Sequence, residues 1–226
     1  MRIVFILTWF FVNQWIIAQT PQYGFLPAIT ASYKISDQWQ LAAKVESDHV
    51  TSFNTLGELI ETHHYVDEVN FQLYAAAKIN PYWRFAGGYQ LGYQQEGAPT
   101  HQSILQFSNT IILKKGRLGQ RFRSDQGFYE NKLNAIRIRY RLSYEFPLNG
   151  TTLDPKEMYL LVKNEPLIQF FKELNRFENR LSTVGGYYLN KRNKLELGLE
   201  HRFSRFYQKE YSSNRYFLKL DWIVRI

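Results

Sequence analysis

Tyr216-Phe217-Leu218-Lys219-Leu220-Asp221-Trp222-Ile223-Val224-Arg225-Ile226 closes the chain, and its parity decides the fold. Even positions carry Tyr216, Leu218, Leu220, Trp222, Val224 and Ile226, whereas Lys219, Asp221 and Arg225 lie on the other face with Phe217 and Ile223. Successive side chains of a strand point to opposite faces, so this is a strand with one apolar and one charged face. The apolar face suits hydrocarbon and the charged face a polar interior, as in a transmembrane β-barrel.

The same period recurs upstream. Residues 39–48 set Trp39, Leu41, Ala43 and Val45 against Gln40, Lys44, Glu46 and Asp48, and residues 69–79 set Val69, Phe71, Leu73, Ala75, Ala77 and Ile79 against Asn70, Gln72 and Lys78. Asn80-Pro81 then marks a tight turn. Residues 82–94 alternate Trp83, Phe85, Tyr89, Leu91 and Tyr93 with Arg84, Gln90 and Gln94, while Gly87, Gly88 and Gly92 permit curvature or close approach of a neighbour. Further strands are predicted over 24–35, 102–114, 117–129, 134–146, 157–165, 178–189, 194–203 and 215–226, with turns at Lys115-Gly116 and Asn190-Lys191-Arg192-Asn193.

This pattern counts about eleven strands, whereas single-chain bacterial barrels have even numbers. The expectation is therefore an antiparallel transmembrane barrel of 10–12 strands with one strand miscounted. The places to look are 24–35, where Pro27 suggests a segment partly in the lumen, and 157–177, which has room for a further short strand. Short connections at 36–38, 80–81, 115–116 and 190–193 alternate with longer ones at 49–63, 95–101, 166–176 and 204–214, the asymmetry of periplasmic turns and external loops.

At the other end of the chain, Met1-Arg2 precedes an apolar run from Ile3 to Ile17 and then Ala18-Gln19. This reads as a cleavable export signal, residues 1–18, followed by a barrel over 19–226. Asn13 and Gln14 interrupt the run, which is too short to span a bilayer comfortably. The 226 residues include no cysteine, so an exported chain gains no disulfide and relies on a core or on closed backbone pairing. An aromatic content of 17% argues against disorder. A mean hydropathy of −0.39 would suggest a soluble protein, but in a barrel the two faces cancel in the average.

A soluble sandwich or lipocalin-like barrel alternates too, with its apolar face turned inward. Trp39, Tyr82, Trp83, Tyr187 and Trp222 fall near predicted turns or strand ends, where an interfacial aromatic girdle sits, which favours the membrane barrel.

Several stretches carry a family resemblance. They are Arg137-Ile138-Arg139-Tyr140-Arg141-Leu142 leading to Phe146-Pro147-Leu148-Asn149, then Lys163-Asn164-Glu165, then Asn179-Arg180-Leu181 before Gly185-Gly186-Tyr187. Arg121-Phe122-Arg123-Ser124-Asp125-Gln126 adds a basic strand ending in an acidic residue and glutamine, with Asp125 where the family pattern has glutamate. Together these resemble the uncharacterised family known as domain of unknown function 2490 over nearly the whole mature chain. The resemblance implies an outer-membrane barrel of Bacteroidetes and related bacteria, and no established activity.

The chain bears a formal charge of +8. Arg137, Arg139 and Arg141 form a ladder on the polar face, opposite Ile136, Ile138, Tyr140 and Leu142. Arg121, Arg123, Arg180 and Arg202 share that face. Buried arginines need acceptors, and Glu46, Asp125, Glu145, Glu165, Glu178, Glu196 and Glu200 are the candidates. One expectation is a paired-charge network that plugs a structural or interaction barrel. The functional alternative is a narrow anion-preferring pore whose guanidiniums take carboxylated sugars or phosphates bidentately.

For catalysis, His101-Gln102-Ser103 with Asn109 superficially resembles the His-x-Ser pattern of outer-membrane phospholipases and lipid A deacylases. His101 and Ser103 share a strand face, as proton transfer requires, but the pattern lacks an acidic partner and reads better as loop. His63-His64 with Glu61 and Asp67 reads as a solvated external loop rather than a metal site, because adjacent strand residues point apart. No catalytic role, metal or cofactor is expected. Without a basic run, nucleic acid is not an expected partner. The expected partners are outer-membrane lipids, lipopolysaccharide, the barrel-assembly machinery and a small anionic solute.

Overall fold

The computed structural model describes residues 21–56, 59–95, 97–129, 132–170, 175–204 and 213–226, with side-chain detail except at 52–63 and 129–134. The expected export signal, residues 1–18, lies outside the described residues. Among the described residues eleven strands close into one barrel: β1 (Gln22–Lys34), β2 (Trp39–Leu56), β3 (Leu59–Lys78), β4 (Trp83–Gln94), β5 (Thr100–Ile112), β6 (Arg117–Tyr129), β7 (Lys132–Pro147), β8 (Glu157–Phe170), β9 (Arg176–Asn190), β10 (Asn193–Ser204) and β11 (Ser213–Arg225).

Consecutive strands pair antiparallel all the way round. The barrel closes through a parallel pairing of β1 with β11, in register from Gln22 with Arg215 to Ser32 with Arg225. The expectation that one strand had been miscounted is thereby corrected. An odd meander brings its first and last strands together running the same way, and a parallel ladder between them satisfies both edges.

The two suspect segments resolve simply. Residues 22–34 form a complete wall strand rather than a lumenal segment, and Pro27, which has no N–H to donate, falls where the β1–β2 ladder skips from Phe25–His49 to Ala28–Glu46. Residues 157–170 form one unbroken strand, with no hidden second strand among the described residues.

The expected asymmetry of short and long connections is also corrected: β2 and β3 are separated by residues 57–58 alone rather than 49–63, and the nine residues 148–156 between β7 and β8 lie at the end of the tight turns. β2 and β3 run on as a paired ribbon to Leu56 and Leu59, with a register shift at Asp48/His49. Asx turns close two hairpins at the opposite end: Asn80 Oδ1 accepts from the N–H groups of Tyr82 and Trp83, both at 2.9 Å, and Asn190 Oδ1 from those of Arg192 and Asn193. At a third, Gly116 adopts φ of +81°, a conformation glycine tolerates without strain.

The pleat sorts side chains as the alternation predicts. Leu41, Leu73, Leu105, Leu197, Leu199, Leu218 and Trp222 are exposed on the outer face. Asn70, Gln90, Arg123, Asp125, Glu165, Glu196, Glu200 and Arg202 are buried inside. A small apolar cluster of Leu26, Val50 and Phe217 also sits on the inner face, near the long-loop end. Tyr159 lies over Gly186, where a Cβ would come within 2.1 Å of its ring.

Candidate functional site

Among the described residues the interior shows cavities of about 300 and 460 Å³. The smaller lies toward the long loops and is lined by Asp48, Asp67, Arg137, Glu178 and Arg215 among others. The larger lies toward the tight turns, among Lys44, Arg84, Arg121, Arg141, Lys163 and Arg225. Glu46, Gln72, Arg139, Arg180 and Arg202 border both, forming a waist.

The charges are unevenly divided. Among the described residues the turn-end cavity is lined by eleven Lys and Arg side chains against five Asp and Glu, a formal excess of six positive charges. The loop-end cavity, with six against five, is nearly balanced.

Ion pairs knit the interior in nodes. Glu165, on β8, takes Arg121 at 2.7 Å and Arg141 at 2.6 Å, both on its Oε2. Asp125 lies between Arg123 at 2.6 Å and Arg139 at 2.8 Å. Glu145 takes Arg117 at 2.5 Å and Lys194 at 3.5 Å. Each of these three carboxylates is shared by two cations.

Other nodes are better matched. Arg202 bridges Glu200 at 2.8 Å and Asp48 at 2.6 Å, and Lys219 also reaches Glu200. Glu196 accepts from the Tyr159 hydroxyl at 2.7 Å and lies 3.4 Å from Lys163, while Arg180 pairs with Glu178. Some contacts reach over intervening strands on the inner face: Arg123 of β6 reaches Gln90 of β4 at 3.3 Å and Tyr74 of β3 at 2.7 Å. Arg84, Arg137 and Arg225 have no ion-pair partner within 4 Å among the described residues.

All the arginines and carboxylates singled out from the sequence therefore sit on one inner wall system: Arg121, Arg123, Arg137, Arg139, Arg141, Glu145, Glu165, Arg180, Glu196, Glu200 and Arg202. The cationic partners Lys163 and Lys194 were overlooked, although Lys163 shares strand and parity with Glu165, and Lys194 with Glu196 and Glu200.

These features agree with a family already defined by sequence. The family described as Protein of unknown function (DUF2490) matches residues 23–213, from the start of β1 to the start of β11. The chain belongs to this family. No curated protein and no solved structure matches it.

His101 and Ser103 lie in β5, not in a loop, because Thr100 already pairs with Gly92. Both face outward, but His101 Nδ1 meets the Tyr89 hydroxyl rather than Ser103. Asn109 is six residues along the strand, about 20 Å away, too far to join them. His64 is likewise a strand residue, stacked on His49 and bonded through Nδ1 to Thr51 Oγ1 at 3.1 Å. His63 and Glu61 lie outside the residues with side-chain detail. No group of three metal-ligating side chains occurs among the described residues.

Proposed function

We propose that this family member is an outer-membrane β-barrel whose interior is a narrow, anion-preferring passage. The observation that carries the reading is the inverted distribution of polarity: an apolar outer wall around a hydrogen-bonded, charged interior, the reverse of a soluble barrel. Trp39, Tyr82, Trp83 and Trp222 ring the outside near the tight turns, and Tyr23, Tyr93 and Tyr216 near the long loops. Trp83 and Tyr93 are ten residues apart, about 33 Å along a strand and about 25 Å across a bilayer at ordinary tilt, the height of a barrel's apolar band. Such a chain carries an export signal cleaved after Ala18, reaches the membrane through the assembly machinery and contacts lipid and lipopolysaccharide.

Anion preference follows from the excess of lysine and arginine around the turn-end cavity. The test is single-channel conductance of the refolded mature chain in a planar bilayer under a salt gradient. Steady anion-selective current that loses its preference in Arg139→Glu supports the passage.

A second reading has its own observation. Bonds such as Arg123 to Tyr74 and Arg202 to Asp48 each reach over two intervening strands on the inner face, and Arg202 borders both cavities. If they hold the waist shut, the protein is a plugged structural or interaction barrel, and verified folded protein stays electrically silent.

A further inference from the structure

Arg121 and Arg141 are direct cross-strand partners on β6 and β7, and so are Arg123 and Arg139. Directly opposed like charges on one sheet face repel, so four guanidiniums in a two-by-two array demand counter-charge. The protein supplies Glu165 for one pair and Asp125 for the other. Arg137, beside Asp125 in the register, adds a fifth cation with no ion-pair partner of its own among the described residues.

The four arginines of the array exceed their two carboxylates by two positive charges, and by three with Arg137, in a region where the Arg123 and Asp125 side chains are nearly fully buried. The array is also accessible, because Arg121, Arg123, Arg139 and Arg141 all line the turn-end cavity and Arg139 borders the other. The buried Arg121 Nε has no hydrogen-bond acceptor within the protein, whereas Arg139 Nε lies 2.8 Å from Asp125 Oδ2. Planar guanidiniums lining a cavity match a tetrahedral dianion, whose oxygens accept bidentate pairs.

We propose that the β6–β7 arginine array is a binding site for a phosphoryl dianion, free or carried on a small solute. The proposal rests on the reading of the interior as an anion passage, and it names the group that the passage selects. Glu165 is its internal competitor: both its arginines use Oε2, and loss of that carboxylate frees them for the ligand.

The test is calorimetric titration of detergent-refolded protein with inorganic phosphate, glucose 6-phosphate and chloride, which reads binding without conduction. Phosphate binding roughly tenfold or more tighter than chloride is expected. Arg141→Gln should weaken it about tenfold, whereas Glu165→Gln should tighten it. Arg141→Lys keeps the charge, is the safer variant for folding, and should still weaken it by losing the bidentate fork. Tighter binding of glucose 6-phosphate than of phosphate assigns the site to a phosphorylated solute, and the reverse to the free ion. Equal affinity for phosphate and chloride, or affinity unchanged in both Arg141→Lys and Glu165→Gln, overturns the proposal. Phosphate binding by an electrically silent barrel keeps the site and removes the passage. Anion-selective current without phosphate binding keeps the passage and removes the site.

Discussion

Arg202 of β10 donates to Asp48 of β2 at 2.6 Å, joining residues 154 apart in sequence across β11 and β1. The bond spans the closure seam from inside. It ties the strands flanking the parallel pair to each other, through two side chains that are almost wholly buried.

Removing one partner of such a pair leaves a charge without its counter-ion in a low-dielectric interior. Asp48→Asn should destabilise the barrel by about 3 kcal/mol, softened by the second bond from Arg202 to Glu200. Urea titration of refolded protein followed by tryptophan fluorescence measures this, and an unchanged midpoint would show that the pair does not hold the seam.

Gly186 is small because Tyr159 occupies the space above it. Gly186→Ala should displace the ring and cost about 2 kcal/mol, more than an exposed glycine replacement such as Gly87→Ala, where nothing lies within 4 Å of the new methyl. Tyr159→Ala in the Gly186→Ala background should add less destabilisation than Tyr159→Ala alone, and strict additivity in the same unfolding assay would refute the contact.

If the outer wall meets hydrocarbon, charge there is costly in proportion to depth. Leu199→Arg, in mid-strand and two-thirds exposed, should destabilise the barrel in lipid vesicles by about 2–4 kcal/mol. Tyr82→Arg, at a turn, should cost no more than about 1 kcal/mol. Equal and small effects would point to an outer wall in water.

Sidedness is testable because the chain has no cysteine. In intact cells an impermeant maleimide should label Ala98→Cys, between β4 and β5, but label Ser36→Cys, at the opposite end of the barrel between β1 and β2, only after the outer membrane is opened. The odd strand number places residue 21 at the long-loop end and Ile226 at the tight-turn end, so epitope tags at the two positions should be accessible from opposite sides.

Much of this architecture was legible because it depends on local alternation. In β11, Leu218, Leu220 and Trp222 point out while Lys219 and Asp221 point in, as their parity requires. Parity likewise placed the arginines of β6 and β7 on one inner wall. It failed at 49–63, where polar Thr, Ser, Asn, Glu and His residues resemble a loop although their backbones pair through to Leu56 and Leu59.

Partnership was legible only in part. Asp125 lies two residues from Arg123 on the same face, and its pairing follows from strand geometry. That Asp48 meets Arg202, or Tyr74 meets Arg123, depends on closure and curvature, which bring together strands that share no ladder. The parallel seam escaped notice because no residue of β1 or β11 announces the direction of its partner.

That seam has a consequence for biosynthesis. Every other ladder joins strands adjacent in the chain and can zip up hairpin by hairpin, with short loops to close. The β1–β11 ladder alone links the two ends, so it forms only after the last strand has been delivered. Until then the nascent sheet exposes two rows of unpaired amides and carbonyls, which neither lipid nor a folding neighbour tolerates. A chain cut before Ser213 would be an open ribbon with both edges unpaired, a trapped intermediate rather than a smaller barrel.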